Sequence, residues 1–428
     1  MHSKDYERCN YFSDHFFNSK DSMISYQKAK TIINKHLSFL DKENVDLINS
    51  PGRILGENIV ASFPSPIFDN SAMDGFAVRA IDTKHATEEK PIELKIIDIS
   101  SAGSPSEITI GKGECIQCMT GAEIPKGADA IIMVEDTSGF SNNDYVKVMN
   151  AASSGAHIRK RGEEINGGDV LIKKGTRITA NELGTCATFG YGALIVSKKP
   201  KVSIFGTGNE LVEPGEKLGK GQIYNSNLYV FTDLIEKAGA LIHQKEVIKD
   251  DKESLKSFLS QALEESDIII SSGGVSMGRY DYVRDVFIEL GVKEHFWKVA
   301  QKPGKPLFFG TKEDKLIFGL PGNPVSSYIG FMEWVWPVIQ SLMGENIEAP
   351  LYGKLDEFFP REKTKHRFLF GQAEYKNGEI ICRPASRLGS HMLTSALGAN
   401  CILGSDSGDG PLKPGDLIKI KLLPWKTL

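Results

Sequence analysis

The sequence predicts a multidomain α/β-plus-β protein with a parallel-sheet α/β domain, a small inserted β domain and a C-terminal β-barrel-like domain. From Lys201 onward, apolar β-branched segments alternate with helical patterns, which is typical of a parallel sheet with crossover helices. At residues 92–148 and beyond Pro350, strand-like segments are separated by Gly, Pro and Asn turns, which indicates β domains. The length of 428 residues accommodates about three domains, in agreement with these patterns.

Composition and charge limit the classes of function. Hydrophobic residues at 40% and charged residues at 25% are ordinary for a globular protein, and the net charge of −4 argues against nucleic acid or an anionic membrane as partner. No apolar segment has membrane-spanning length and the N-terminus has no secretory signal, so the expected location is the cytoplasm. The C-x-x-C of Cys115 and Cys118 lacks a second ligand pair, so a structural role is favoured over metal or redox chemistry.

Changes of pattern divide the chain into five parts, with Pro64-Ser65-Pro66 marking one boundary. The predicted parts are an N-terminal arm at 1–21, a helical or linker domain formed by 22–63 and 166–198, an inserted β domain at 64–165, the α/β domain at 199–346 and the C-terminal β domain at 347–428. The inserted domain is predicted to be a small barrel or sandwich.

The loops at the carboxyl ends of the predicted parallel strands share one chemistry. Ligands bind beyond these ends in parallel sheets, and glycines there let backbone N–H groups approach a ligand closely. The residues concerned are Thr207, Gly208, Glu210, Asp250, Gly273, Gly274, Asp281, Pro321 and Gly322. Several such loops on one edge predict an anion site. The following helix has Asn323 as N-cap and Pro324 at its first position, and Pro337 should kink it.

Carboxylates in these loops have two interpretations. Taken singly, Glu210, Asp250 and Asp281 are more simply helix caps or salt-bridge partners. All three at one sheet edge beside glycines favour Mg²⁺, which takes one or two carboxylates together with phosphate oxygens and waters.

Positive charge is concentrated in two further segments. Lys298, Lys302 and Lys305 flank a glycine–proline turn, and this density favours contact with an oxyanion over a solvated strand end. The mixed-charge loop around Arg159 is equally compatible with a solvated turn. Neither a Walker A motif nor G-x-G-x-x-G is present, which argues against ordinary NTPase and dinucleotide sites.

Motifs along nearly the whole chain agree in order and spacing with one known family, from about Met23 to the C-terminus. The matching segments are Phe68–Gly75, Met119–Gly121, Arg159–Ile165, Gly206–Leu211, Gln222–Tyr224, Ser271–Gly278, Lys302–Pro306 and Gly319–Ser326. On these segments the chain resembles the molybdopterin molybdenumtransferases, the molybdenum-cofactor insertases, which are related to the C-terminal part of gephyrin.

The resemblance implies an elongated homodimer of four-part subunits, in which the molybdopterin-binding α/β domain of one subunit faces the small β domain of the other. The implied reaction inserts molybdate into the dithiolene of adenylylated molybdopterin and releases AMP with Mg²⁺ present. A molybdopterin adenylyltransferase is implied as the substrate donor. No side-chain nucleophile is required, because the substrate's own sulfurs take the metal.

The resemblance also implies residue roles. For Mg²⁺ and the phosphoanhydride these are Glu210, Asp250 and Asp281. For phosphates and pterin they are Thr207, Gly208, Ser272, Gly273, Gly274, Ser276, Lys298, Lys302, Pro321, Gly322 and Pro324. For molybdate they are Lys302, Lys305, Pro306, Ser326, Arg367 and Ser390. From the partner subunit they are Asp74, Thr120 and Arg159, so that the implied catalytic set is Asp74, Glu210, Asp250, Asp281 and Lys302.

The chain departs from the family pattern at a few positions. Asn209 stands where an acidic residue is usual, and Asn225 replaces a common aspartate, which bears on the number of Mg²⁺ ions. Two other functions stay open: a molybdopterin adenylyltransferase, because related glycine-loop domains carry out that step, and a non-catalytic clustering scaffold. The scaffold would be expected to have an appended adenylyltransferase domain and a long linker.

Overall fold

The structure is a computed structural model and describes residues 23–140, 143–275, 282–346 and 349–428, so the predicted arm at 1–21 lies outside the described part. The helices are α1 (Tyr26–Asn34), α2 (Ala80–Thr83), α3 (Ala180–Thr188), α4 (Asn227–Ala238), α5 (Lys252–Glu265), α6 (Val283–Glu289), α7 (Pro324–Gly330) and α8 (Trp336–Leu342). The strands are β1 (Lys42–Asp46), β2 (Ile59–Val60), β3 (Asn70–Ser71), β4 (Gly75–Val78), β5 (Ile92–Ser100), β6 (Glu114–Cys118), β7 (Ala130–Met133), β8 (Tyr145–Val148), β9 (Ile158–Arg159), β10 (Val170–Ile172), β11 (Ala193–Ser197), β12 (Lys201–Thr207), β13 (Leu211–Val212), β14 (Ile223–Tyr224), β15 (Leu241–Ile248), β16 (Ile268–Ser272), β17 (Lys293–Lys298), β18 (Gln301–Lys302), β19 (Pro306–Lys312), β20 (Lys315–Leu320), β21 (Leu351–Leu355), β22 (His366–Lys376), β23 (Glu379–Pro384), β24 (Cys401–Ser405) and β25 (Leu417–Leu422).

A six-stranded sheet in the order β15-β12-β16-β20-β19-β17 forms the centre of the α/β domain. The strands β15, β12, β16 and β20 are parallel, which confirms the predicted parallel-sheet domain. Strand β19 is antiparallel to both of its neighbours, β20 and β17, an arrangement that the sequence analysis did not foresee. Only Glu313 and Asp314 separate β19 from β20, too few for a crossover of about a dozen residues, so the two strands form a hairpin.

Helices cover both faces of this sheet. On one face, α5 buries Leu255, Phe258 and Leu259, whose spacing is that of one side of a helix, and its N-cap Asp251 accepts a hydrogen bond from the Ser254 N–H at 2.8 Å. On the other face, α4, α7 and α8 share a core with α1, which contributes Ile33. Each large buried side chain stabilises the fold by about 1.5–3 kcal/mol.

The helix changes type close to Pro337, where the sequence predicts a kink. A π-helical turn at Phe331–Val335 connects α7 to α8, and Pro337, which lacks a backbone N–H, lies at the start of α8. Asn323 is the N-cap residue of α7, but its side chain makes no capping hydrogen bond. Instead its amide donates to Ser390 Oγ in the C-terminal domain at 3.3 Å.

The small β region is one five-stranded sheet in the order β7-β4-β6-β5-β8, and not the closed barrel or sandwich that the sequence suggested. Successive residues of β4 and β6 point to opposite faces and both faces are apolar. Cys115 and Cys118 are buried on opposite faces, and burial raises the pKa of their thiols to about 12 and about 11. These thiols are therefore core residues that do not face each other.

The C-terminal domain is a closed barrel, as predicted. Its strands follow the order β22-β23-β21-β25-β24, and β24 pairs back onto β22. The short strand β18, which belongs in sequence to the α/β domain, pairs in parallel with β22 from outside. This pairing joins the two domains beside the carboxyl ends of the parallel strands. No helix in the described ranges is long and apolar enough to cross a membrane.

Candidate active site

A cavity of about 1170 Å³ lies at the carboxyl ends of β12, β16 and β20 and is bounded on its other side by the barrel. Most of the residues predicted for substrate, molybdate and metal line it. They are Thr207, Gly208, Glu210, Asp250, Ser272, Gly273, Gly274, Lys302, Lys305, Pro306, Pro321, Gly322, Pro324, Ser326, Arg367 and Ser390. Residues distant in sequence therefore meet at one place.

Several predicted site residues lie elsewhere. The ammonium of Lys298 lies 4.1 Å from the centre of the Trp297 ring, and the structure does not place it on the cavity wall. Ser276 and Asp281 fall outside the described residues. Asp74, Thr120 and Arg159 lie on the small β region, away from this cavity of the same chain.

The glycine loop after β16 is closely packed against neighbouring loops. Gly274 has φ +69°, and a Cβ there would lie 2.8 Å from Thr207 Oγ1 and 2.2 Å from Val283 Cγ2. The Gly273 N–H donates to the Leu320 carbonyl at 2.9 Å, so it connects two loops and is already used. Only a residue without a side chain fits at position 274. We call the loop of Gly273 and Gly274 the glycine cradle.

Asn227, in the first turn of α4, connects the same loops from the side. Its amide nitrogen lies 2.7 Å from Ser272 Oγ and 2.7 Å from the Gly322 carbonyl oxygen. Because Ser272 accepts this hydrogen bond, its own O–H can donate into the cavity. Asn227 thus sets the positions of the loops after β16 and β20.

Two carboxylates, those of Glu210 and Asp250, lie at the edge of the cavity, in the loops that follow β12 and β15. Asp250 and Asn209 exchange hydrogen bonds at 3.3 Å, the backbone N–H of each donating to the side chain of the other. Glu210 is exposed, and its carboxylate folds back towards Gly208. Neither Glu210 nor Asp250 has an ion-pair partner among the residues that the structure describes.

This donor set is compatible with Mg²⁺. In the described ranges no group of three or more His, Cys, Asp or Glu side chains is placed to hold a metal ion without a ligand's help. Mg²⁺ commonly binds one or two carboxylates and completes its octahedron with phosphate oxygens and water, which matches Glu210 and Asp250 beside a phosphate-type cradle.

Basic side chains lie close together where β18 pairs with β22. Their register pairs Lys302 with Arg367, which places two basic side chains side by side. Arg367 is only 5% exposed, burial lowers the pKa of its guanidinium, and its Nε has no hydrogen-bond partner within the described part of the chain. A buried cation with an unused N–H is suited to an oxyanion.

Lys302 already has an anionic neighbour. Its ammonium lies 2.6 Å from Glu362 Oε1, and this contact holds the pKa of Glu362 below its usual range. The carboxylate therefore occupies one of the positions that a bound oxyanion would use.

Buried polar contacts shape the turn that carries Lys302 and Lys305. The Gln301 amide donates to the Gly304 carbonyl at 2.8 Å, and Trp334 Nε1 donates to Gln301 Oε1 at 2.9 Å. Gln301 is fully enclosed, so it anchors the turn to the core through the π-helical segment.

The predicted partner-facing residues form a patch of their own. Asp74 Oδ1 accepts from the Thr120 N–H at 2.8 Å and from its hydroxyl at 2.9 Å, and these bonds lower the pKa of Asp74. Arg159 pairs with Asn70 on the adjoining strands. Ile67, Phe68 and Met73 are exposed in the same loop.

Sequence reasoning missed several of the residues that shape the cavity. Asn227, Gln301 and Glu362 make contacts with residues far away in the chain, and no local pattern marks these contacts. Asn227 lies shortly after one segment that matches the family and Gln301 directly precedes another, and these positions were the available signals. Lys365, Leu388 and His391 add barrel residues to the cavity wall.

Comparisons with known proteins agree with this architecture. Residues 24–190 match the MoeA N-terminal region (domain I and II), 203–341 the probable molybdopterin binding domain and 352–423 the MoeA C-terminal region (domain IV). The molybdopterin molybdenumtransferase of Bacillus subtilis is 34% identical over 401 residues, covering 91% of this chain and 93% of the relative. That of Staphylococcus epidermidis is 34% identical over 406 residues, covering 94% and 96%.

Solved structures show the same relationship. A crystal structure of the molybdopterin biosynthesis MoeA protein from Pyrococcus horikoshii is 31% identical, with a TM-score of 0.81 over 94% of this chain and 99% of that chain. A second crystal structure of that protein is 30% identical, with a TM-score of 0.78 over 94% and 100%. The chain therefore belongs to the MoeA family of molybdopterin molybdenumtransferases.

Proposed function

We propose that this protein inserts molybdenum from molybdate into the dithiolene of adenylylated molybdopterin and releases AMP. The observation that supports this most is the cavity itself, which combines a glycine cradle, two carboxylates and a cluster of cations. The cradle suits phosphates, the carboxylates suit a metal on the phosphoanhydride, and the cations suit a dianion.

The substrate phosphates would lie against the loops that follow β12, β16 and β20. Thr207, Ser272 and the backbone of Gly274 line this part of the cavity and supply hydrogen-bond donors. Glu210 and Asp250 would hold Mg²⁺, and the sequence resemblance adds Asp281 to them. The bound Mg²⁺ would neutralise charge on the phosphoanhydride.

Molybdate would lie at the β18–β22 junction. Lys302, Lys305 and Arg367 supply positive charge, Ser326 and Ser390 supply hydroxyl donors, and Pro306 shapes the wall. Arg367 is buried and bonded to nothing at Nε within the described residues, so binding a dianion there would satisfy that donor.

The second subunit of a homodimer would complete the site with Asp74, Thr120 and Arg159. The exposed apolar side chains of Ile67, Phe68 and Met73 beside these residues support a protein interface at this patch. A molybdopterin adenylyltransferase would supply the substrate in the cytoplasm.

The test mixes the protein with adenylylated molybdopterin, Mg²⁺ and molybdate and measures AMP release. Molybdate should accelerate release, and Arg367→Ala should remove that acceleration while Arg383→Ala, on the same barrel but outside the cavity, should retain it. AMP release that does not respond to molybdate would contradict the proposal. Pyrophosphate release from ATP and unmodified molybdopterin would indicate an adenylyltransferase instead.

A further inference from the structure

A second cavity, of about 350 Å³, lies between α1, the π-helical turn and the outer wall of the barrel. It is separate from the first because neighbouring residues of β22 point to opposite sides: His366 lines the second cavity and Arg367 lines the first. None of the roles discussed above involves this second cavity.

Basic side chains outnumber acidic ones on its wall. Lys30, Arg361, Lys419 and Lys421 contribute four positive charges, Glu333 and Asp406 contribute two negative charges, and His366 adds an imidazole. The cavity thus has a formal excess of two positive charges in a chain whose net charge is −4.

Both carboxylates are already paired. Glu333 is buried on the π-helical turn, where it accepts from the Tyr26 hydroxyl at 2.6 Å and pairs with the Lys421 ammonium at 2.7 Å. Asp406 Oδ1 lies 3.2 Å from His366 Nδ1. Lys421 balances the charge of Glu333, and the charge of Asp406 is already counted in the formal excess of two positive charges.

The remaining cations lack such partners. Within the described ranges Lys30 and Lys419 form no ion pair, and Arg361 Nε is buried without a hydrogen-bond partner. Lys30 instead lies 4.6 Å from the centre of the Tyr26 ring. Burial lowers the pKa of Lys30 to about 8, and repulsion from Lys421 and Lys419 acts in the same direction while Glu333 opposes it. Crowded cations, of which Lys30 and Arg361 are partly buried, are stabilised by a bound anion.

We propose that this cavity is a binding site for a dianionic oxyanion of phosphate or sulfate size, either free or as the terminal group of a phosphomonoester. The charge excess of two matches a dianion, and the volume lies at the lower end of the range for small-ligand sites. The aromatic rings of Tyr26, Tyr352 and Phe368 on the wall can accommodate the organic part of a phosphomonoester.

The experiment must separate this site from the first cavity, which also suits anions. Calorimetric titration with inorganic phosphate therefore uses the full chain carrying Lys302→Ala and Arg367→Ala as its background. One phosphate-binding site should remain in this double variant. Adding Lys30→Gln and Lys419→Gln should weaken it by about tenfold or more, because two charge-assisted contacts are lost. Adding Lys376→Gln, an exposed lysine on β22 outside both cavities, should change nothing.

Binding that survives Lys30→Gln and Lys419→Gln, or that chloride at equal ionic strength reproduces, would overturn the proposal. Because Lys30 is partly buried, Lys419→Gln alone provides a second test in which folding is not at risk. Titrations with glycerol phosphate identify the source of the anion: tighter binding than inorganic phosphate indicates a phosphomonoester, and weaker binding indicates the free ion. The result does not depend on the insertase activity, which the AMP assay tests separately.

Discussion

Asn209 and Asp250 hold each other by two reciprocal hydrogen bonds, each 3.3 Å long, in which each backbone N–H donates to the other side chain. The pair connects the loops after β12 and β15 and keeps the Asp250 carboxylate at the cavity edge. An aspartate at position 209 would place a second carboxylate against Asp250, so the asparagine of this chain avoids like-charge repulsion.

Replacing Asp250 should reduce AMP release by far more than the loss of fold stability explains. Asp251, the next residue in the chain, provides the control. Asp250→Ala and Asp251→Ala should each destabilise the fold by about 1 kcal/mol, the first through a lost hydrogen bond and the second through a lost helix cap. Only Asp250→Ala should slow AMP release, by roughly 100-fold. Thermal midpoints and AMP assays on both variants check this, and equal activities would exclude Asp250 from the mechanism.

The glycine at position 274 should be irreplaceable for a reason beyond its backbone angle. Gly274 and Gly410 share φ +69°, but a Cβ at Gly410 meets no atom within 4 Å, whereas one at Gly274 meets Thr207 and Val283. Gly410→Ala should cost about 1–2 kcal/mol from conformation alone. Gly274→Ala should cost about 1–3 kcal/mol more and abolish substrate binding. Denaturation midpoints that coincide would contradict this account of the cradle.

The features predictable from the sequence were local or periodic. Glycines and carboxylates after each apolar strand identified the edge at which the cavity lies, because the carboxyl ends of parallel strands share one edge whatever the connections between them. Short strand-like segments between Gly, Pro and Asn turns likewise identified the C-terminal β domain.

The features that escaped prediction depend on contacts between distant segments. The hairpin of β19 and β20 has no Asn-Gly signal in its two-residue turn, so its antiparallel direction was not apparent. The pairing of β18 with β22 joins Lys302 to Arg367 across two domains, and no local periodicity encodes it. Glu362 lies in an irregular segment before β22 and acquires its role only from this junction.

Glu362 should compete with molybdate for Lys302. The two side chains are 31% and 50% exposed, so breaking their ion pair by Glu362→Gln should cost less than about 1 kcal/mol of stability. Removing the carboxylate should tighten molybdate binding by about fivefold, because molybdate no longer has to displace the Glu362 carboxylate from the Lys302 ammonium. Equilibrium dialysis measures this, with Glu374→Gln, an exposed position later in β22, as control. Weaker binding in Glu362→Gln would mean that the carboxylate orders the site instead.

Asn227 should act on substrate binding through the loops it connects. Asn227→Ala removes both contacts, to Ser272 and to the Gly322 carbonyl, and should raise KM for adenylylated molybdopterin by about tenfold. Asn227→Asp should raise this KM further, because a carboxylate oxygen would face the Gly322 carbonyl oxygen. Asn58→Ala is the matched control, since Asn58 accepts from the Lys174 N–H away from the cavity. A KM that is unchanged in both Asn227 variants would exclude the positioning role.

Lys30 should make stability depend on pH. Its pKa is lowered to about 8 in the folded chain from 10.5, through burial first and then Lys421 and Lys419, while Glu333 acts in the opposite direction. Between these two values the unfolded chain binds a proton that the folded chain does not, so stability rises with pH through this window. Below pH 8 both states are protonated and the cost of the buried charge is present in full.

Lys30→Met should therefore be more stable than the parent at pH 7 and should lack its contribution to the rise between pH 8 and 10.5. Midpoints of guanidinium unfolding at pH 7, 8, 9 and 10 measure both effects. The exposed Lys376→Met variant should follow the parent curve. Parallel curves for the parent and Lys30→Met would show that the Lys30 ammonium is not desolvated. Phosphate saturating the second cavity should reduce the difference between Lys30→Met and the parent at pH 7, because the anion compensates the charge that the methionine removes.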